Sequence, residues 1–150
     1  MAVQHETIVD RVRADHRTIV EQIAELEGRA GAGRKGVQEP TFAVMRTELQ
    51  AHMVAEEEFV YTLLEREMRM WIENSRREHD RIREHLAALG AGGEMPSAAW
   101  LGRLSTMKQA LEQHIAEEER AVTPELEMKY DLEKLRDLGD EYARRKTGAG

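Results

Sequence analysis

Apolar residues recur at three- and four-residue spacings along most of the chain, which is the pattern of one buried face on an α-helix. The first such stretch runs from about Thr7 to Glu27, and the glycines from Gly28 to Gly36 mark a loop after it. A second stretch opens at Pro40-Thr41 and keeps its apolar spacing as far as Leu64. The sequence therefore predicts an all-α protein.

The later part of the chain continues this pattern. Glycines and a proline between residues 90 and 96 end a third stretch, and Ser97 is the predicted N-cap of a fourth helix. Pro124 lies near or just inside the end of that helix. A short fifth helix is predicted from Leu132 to Tyr142, packed on the others, and the last residues, Thr147 to Gly150, are expected to be disordered.

Two stretches of the sequence read as copies of each other, one from His52 to Glu56 and one from His114 to Glu118. In each, a histidine precedes a glutamate by four positions, which places both side chains on one face of a helix. Two further histidines, His16 and His79, precede these stretches at matching distances, so the chain contains an internal repeat. Two hairpins of one design predict an antiparallel four-helix bundle in which the two His-x-x-x-Glu faces are opposite each other.

The boundary between the second and third helices follows from this repeat. No glycine or proline interrupts residues 41–89, so the apolar pattern alone allows one very long helix. In such a helix His52 and His79 would lie about 40 Å apart. If both belong to one site, the chain must reverse between them, and we expect the turn within Glu67 to Ser75. The third helix is then predicted from about Ile72 to Leu89.

Four imidazoles and two carboxylates inside a bundle are enough ligands for two metal ions. The predicted ligands are His16, His52, Glu56, His79, His114 and Glu118. Nitrogen and oxygen ligands without thiolate suit iron or manganese. We expect two iron ions with a bridging oxo or hydroxo group, in preference to manganese or zinc. Because the ligands bind in their deprotonated forms, metal loading should fall as the pH drops through the histidine titration.

Composition bounds the class of protein. At 150 residues the chain is most simply one domain, with a bundle over about 7–126 and a helical extension over about 131–146. Its net charge of −7 argues against nucleic acid as a partner, and the lack of cysteine excludes disulfides and thiolate ligands. No apolar run approaches the roughly 18 residues of a membrane span, and residues 1–6 carry no signal core, which predicts a cytoplasmic protein. The oligomeric state is left open, with a monomer favoured.

The ligand pattern resembles the hemerythrin-like, or HHE cation-binding, family, in which a histidine and a His-x-x-x-Glu motif occur twice over four helices. The matching positions are Asp15-His16, His52 to Glu56, Glu78-His79 and His114 to Glu118, within residues 8–126. The resemblance implies a bundle with a non-haem di-iron centre. It also implies that the protein binds dioxygen, nitric oxide or peroxide, or senses iron and oxygen.

The chain departs from the oxygen-carrying hemerythrins at two positions. Arg83 stands where those proteins have a further histidine, and their last carboxylate is an aspartate at the position of Glu119, whereas Glu118 is the predicted ligand here. One fewer histidine leaves an open position on the metal, which allows peroxide turnover. The expected function is to bind or react with dioxygen, nitric oxide or peroxide at this centre, and a catalase-like reaction is the hypothesis if the protein is an enzyme. The alternatives are a non-enzymatic module for oxygen, nitric oxide or iron sensing or for iron handling, and a metal-free helical interaction domain.

The remaining polar residues have simpler interpretations. A single inward histidine is more often a hydrogen-bonded core residue than a ligand, and only the joint arrangement favours a metal site. His85 and His5 are expected on the surface. Glu57 and Glu119 are expected to be solvated or to bond to the ligands from outside. Tyr61 lies half a turn from His52 and is interpreted as a packing residue.

Overall fold

The structure, a computed structural model, describes residues 6–31, 38–91 and 97–148. Its α-helices are α1 (Ile8–Gly31), α2 (Gln38–Ala55), α3 (Tyr61–Leu64), α4 (Arg69–Ala91), α5 (Ala98–Lys129) and α6 (Leu132–Gly148). A π-helical turn, Glu56–Val60, joins α2 directly to α3. No strand occurs in the described ranges. The prediction of an all-α fold is confirmed.

The helices form the predicted bundle. Helix α1 packs against α2 and α5, and α4 packs against α5. Together α2, the π-helical turn and α3 make the second long helix of the bundle. Helix α6 packs outside this bundle, against α1 and α2. In the described ranges, no helix has the length and apolar character needed to cross a bilayer.

The first helices begin and end differently from the prediction. Helix α1 continues through Gly28 to Gly31, because one glycine costs a helix only about 1 kcal/mol and tertiary packing offsets that cost. Helix α2 begins at Gln38, so Pro40 lies in its first turn, where a missing N–H breaks no helical hydrogen bond. The rest of the predicted loop, residues 32–37, lies outside the described residues.

The chain reversal occupies residues 65–68, so it begins two residues before the predicted range and ends inside it. The N–H groups of Glu67 and Met68 both donate to the carbonyl of Leu64, which closes the end of α3. Helix α4 consequently begins at Arg69 and ends at Ala91, longer at both ends than predicted.

Helix α5 starts as the sequence predicts and ends later. The Ser97 hydroxyl accepts a hydrogen bond from the N–H of Trp100 at 3.1 Å, which confirms the N-cap. The helix continues five residues past Pro124 to Lys129, so Pro124 lies well inside it.

Helix α6 extends from Leu132 to Gly148, beyond the predicted end at Tyr142. The expected disorder of the last residues is wrong for Thr147 and Gly148, which are helical, and residues 149–150 lie outside the described residues.

Two hydrophobic clusters hold the bundle together, one on each side of a layer of buried polar residues. One cluster contains residues of α1, α2, α4 and α5, among them Ile23, Leu49, Leu86 and Leu104. The other includes the start of α1, the π-helical turn and α6, and contains Tyr142. Helix α6 is therefore part of the packed core.

The contact between α6 and the start of α1 depends on a glycine. A Cβ atom at Gly139 would lie 2.9 Å from the backbone nitrogen of Ile8, and it would also overlap the carbonyl oxygen of Glu6. We expect Gly139→Ala to lower the free energy of unfolding by about 1 to 3 kcal/mol, as overpacking does. Chemical denaturation measures this, with Gly102→Ala as the control, because a Cβ there meets no atom within 4 Å. Equal stability of the two variants would contradict the prediction.

Candidate metal centre

The structure brings all six candidate ligand residues together in the polar layer between the two hydrophobic clusters. They come from α1, α2, the π-helical turn, α4 and α5, and each is at most 3% exposed. The set, called the central residues below, is His16, His52, Glu56, His79, His114 and Glu118.

The central residues form two overlapping groups of four. In each group, one possible ligand atom per residue lies within 4.8 Å of the others. The first group is His16, His52, Glu56 and Glu118, and the second group is Glu56, His79, His114 and Glu118. Both glutamates thus belong to both groups, while each histidine belongs to one.

Glu56 shows how one carboxylate serves both groups. Its Oε1 lies 3.2 Å from Nε2 of His52, in the first group, and 3.2 Å from Nε2 of His79, in the second. Its Oε2 lies 3.6 Å from Nε2 of His16. A fully buried carboxylate is costly unless positive charge compensates it, and several imidazole nitrogens face this one.

Three atoms at the centre make no hydrogen bond although they are buried: His16 Nε2, Glu56 Oε2 and Glu118 Oε1. His16 Nε2 and Glu118 Oε1 are only 3.1 Å apart, but the angles do not suit a hydrogen bond. Buried polar atoms without partners are rare in native proteins. Nitrogen and oxygen donors that converge without satisfying one another fit a cation between them.

A second layer of carboxylates orients the four imidazoles. Each ring directs Nε2 to the centre and Nδ1 to an acidic side chain. The pairs are His16–Glu119 at 2.8 Å, His52–Asp15 at 3.1 Å, His79–Glu57 at 2.6 Å and His114–Glu78 at 2.7 Å. A proton on Nδ1 leaves the Nε2 lone pair free for a metal, which is the usual arrangement of metal-binding histidines.

Comparison with known families agrees with this geometry. Residues 7–126, more than half of the chain, match the family model described as hemerythrin HHE cation binding domain. The chain belongs to the hemerythrin HHE family. Comparisons with curated proteins and with solved structures gave no match.

Membership of the HHE family implies cation binding, and the buried His/Glu groups are consistent with it. The two histidines that were not predicted as ligands do not belong to the central residues. His85 is at the surface, where its Nδ1 lies 3.3 Å from the guanidinium of Arg103. His5 is outside the described residues.

Tyr61 packs in the second hydrophobic cluster, as the sequence suggested, but packing is not its whole role. Its hydroxyl lies in the HHE centre, where it donates a 2.7 Å hydrogen bond to Glu118 Oε2. It also lies 3.4 Å from Glu56 Oε1, 3.3 Å from His79 Nε2 and 3.5 Å from His114 Nε2. Tyr61 thus contacts every member of the second group.

The π-helical turn explains this position. In an α-helix, a residue five positions after Glu56 lies about 140° around the axis, away from the centre. The wider turn over Glu56–Val60 brings Tyr61 back to the face of Glu56. The sequence does contain a signal, because Phe59, Val60 and Tyr61 form a run of three apolar or aromatic residues, and the structure buries all three. A regular helix cannot place three successive side chains on one narrow face.

Arg83 occupies the position where oxygen-carrying hemerythrins have a histidine. Its guanidinium bonds to the carboxylate of Glu57 at 3.0 Å, and Glu57 in turn accepts the Nδ1 proton of His79. Arg83 therefore acts on the centre through two intermediates and contributes no ligand atom.

The carboxylates around the histidines favour their protonated forms. Burial disfavours a charge on His52, but Glu56 and Asp15 outweigh it and raise its pKa to about 9. For His114, burial is likewise outweighed by three glutamates, Glu118, Glu78 and Glu56, and the pKa rises to about 10. The pKa values of the other two central histidines are raised by the same balance. At neutral pH a metal ion must therefore displace protons from the centre.

Proposed function

We propose that this HHE protein holds a pair of iron ions between the central residues and uses them to decompose peroxide or to bind dioxygen or nitric oxide. The observation that supports a pair of ions is the sharing of Glu56 and Glu118 by both groups of four. Carboxylates from facing helices hold paired metals in other bundles. Nitrogen and oxygen donors without thiolate favour iron over softer metals.

Two redox-active ions, once bound, supply the electron changes that convert two molecules of peroxide into two of water and one of dioxygen. The protein contributes a buried setting for this chemistry, since each central residue is at most 3% exposed. A cavity of about 270 Å³, lined by His16, Val20 and Ile115 among others, opens between α1 and α5 beside the first group. Its size and its contact with His16 suit a small ligand.

Elemental analysis of freshly purified protein tests the proposal, together with a visible spectrum of the same sample. We expect about two irons per chain, with oxo-to-iron absorption in the near-ultraviolet, and a lower iron content in His52→Ala. A protein that binds no metal after anaerobic loading with ferrous iron would overturn the proposal. Circular dichroism checks that such a sample is still folded.

Adding peroxide to the loaded protein then separates turnover from binding. Catalytic evolution of dioxygen, lost in His114→Ala, would establish the catalase-like reaction. A stable adduct with dioxygen or nitric oxide, without turnover, would identify a binding or sensing module instead. A cytoplasmic location and a monomeric state stay predictions.

Tyr61→Phe is expected to keep the metal and lose the reaction. The six central residues remain in this variant, so the iron content should stay at about two per chain. Without the phenol, no hydroxyl bonds to Glu118 Oε2 and none is available to give or accept a proton, which should slow dioxygen evolution by about 100-fold or more. Oxygen-electrode assays measure the rate.

The control for Tyr61→Phe is Tyr130→Phe, at a tyrosine between α5 and α6 that has no bond to the centre. If Tyr61 itself binds iron, a visible charge-transfer band should also disappear in Tyr61→Phe. Unchanged peroxide turnover in Tyr61→Phe would contradict a role for this hydroxyl.

A further inference from the structure

Helix α6 lies beyond residues 7–126, which match the HHE family, and beyond the two repeated hairpins, yet it reaches the centre. Tyr142 of α6 is 1% exposed, and its Oη lies 2.8 Å from His52 Nδ1. The same hydroxyl donates a hydrogen bond to Asp15 Oδ2. Because a phenol has one proton and Asp15 receives it, the Tyr142 oxygen is left to accept the Nδ1 proton of His52, which it shares with Asp15 Oδ2.

Lys146, four residues further along α6, completes this contact. Its ammonium lies 2.6 Å from Asp15 Oδ1 and also pairs with Glu48 of α2. Asp15 therefore has three partners: His52, Tyr142 and Lys146. A carboxylate bonded through both oxygens is fixed in position, and so is the imidazole that bonds to it.

The other half of the repeat lacks this support. The repeat relates Asp15 to Glu78 and His52 to His114. Glu78 accepts the Nδ1 proton of His114 at 2.7 Å, but within the described ranges no tyrosine or lysine bonds to its carboxylate. Its side chain is 23% exposed, compared with 14% for Asp15. The two halves of the centre thus differ in α6, which supports only the carboxylate beside His52. They differ also in Tyr61, whose hydroxyl lies beside the histidines of the second group.

We propose that Tyr142 and Lys146 are positioning residues that raise the metal affinity of the first group, that of His16 and His52, without acting on the second. The hydroxyl of Tyr142 fixes the ring of His52 and keeps its proton on Nδ1, while Lys146 keeps Asp15 in place. This inference rests on the proposed function. It assigns α6 to the metal centre and not only to the packed core.

The test compares Tyr142→Phe with wild-type protein, both loaded anaerobically with ferrous iron and then challenged with increasing concentrations of a chelator. Elemental analysis at each step gives the number of ions retained, and the visible spectrum follows the remaining site. We expect one ion per chain to bind about 10- to 100-fold more weakly, as when a partner of a metal-bound histidine is lost, and the other to be unchanged. Lys146→Met should act in the same direction with a smaller change.

Tyr130→Phe is the matched control and should retain both ions as the wild type does. Wild-type retention in Tyr142→Phe would overturn the inference. So would an equal weakening of both ions together with a lower unfolding temperature, because that result would mean that α6 only stabilises the fold. A wild-type protein that binds no iron would instead overturn the proposed function itself, so the two failures are distinguishable.

Discussion

Glu118→Gln is expected to lower the metal content from about two ions per chain to less than one, whereas His79→Ala should leave about one. The reason is the sharing of ligands. Glu118 belongs to both groups of four, so its loss removes a ligand from each position at once. His79 belongs only to the second group, and its loss leaves the first group complete.

Elemental analysis after anaerobic loading and gel filtration measures both variants. Glu58→Gln is the matched control, since Glu58 lies two residues from Glu56 but is exposed and belongs to neither group. We expect Glu118→Gln to fold, because the two hydrophobic clusters on either side of the polar layer are untouched. Equal metal contents in Glu118→Gln and His79→Ala would contradict the shared-carboxylate arrangement.

The helical fold could be predicted because its signal is local and repeated. Apolar spacing indicated each long helix, and Ser97 marked the start of α5 through its own side chain. The grouping of the central residues was predictable for a different reason. A repeat that places His16 and His52 at the same relative positions as His79 and His114 implies two similar hairpins, and their packing brings the four histidines together.

The reversal between α3 and α4 was harder to predict because what holds it is distant in the sequence. Its residues include no glycine or proline. Lys129, at the end of α5, donates to the carbonyl of Leu63 at 2.6 Å and pairs with Glu67 at 2.9 Å. A contact across more than 60 residues satisfies the backbone where a local turn residue would otherwise do so.

Tyr61 and Tyr142 were missed for separate reasons. The position of Tyr61 depends on the π-helical turn, and a regular helical projection places it on the wrong face. Tyr142 lies 90 residues after His52, on a helix outside the repeat, so no spacing rule connects the two. Sequence periodicity finds ligands that share a helix face, but it does not find groups that reach the site from a helix packed outside the bundle.

Metal affinity is expected to continue rising with pH up to about pH 9, because the central histidines keep their protons in the metal-free protein. The pKa values of His52 and His114 are about 9 and about 10. Below these values, each of the two must release a proton when metal binds. Each proton released makes the apparent affinity about tenfold higher per pH unit, so these two make it at least about 100-fold higher. His16 and His79, whose pKa values are also raised, add to the rise.

The stability of the metal-free protein should change in the opposite direction. A histidine whose pKa is raised by folding stabilises the folded state, and this contribution is complete below the pKa of the unfolded chain, near 6.5. The contribution is lost as the pH rises through the pKa of the folded state. For His52 and His114 this window extends from about 6.5 to between about 9 and 10. Denaturation of the metal-free protein at pH 7 and at pH 9 should therefore show lower stability at the higher pH.

The pH dependence of the metal affinity is measured by competition with a chelator of known affinity. Zn²⁺ serves as a redox-inert probe between pH 6 and 9. Glu78→Gln removes a carboxylate that raises the pKa of His114, so in this variant the affinity should stop rising at a lower pH. Asp80→Asn is the matched control, because Asp80 is 71% exposed and bonds only to Arg83 among the described residues. An affinity that stops rising near pH 7.5 in the wild type would mean that the histidines titrate near their usual value of about 6.5, and that the surrounding carboxylates do not hold protons on them.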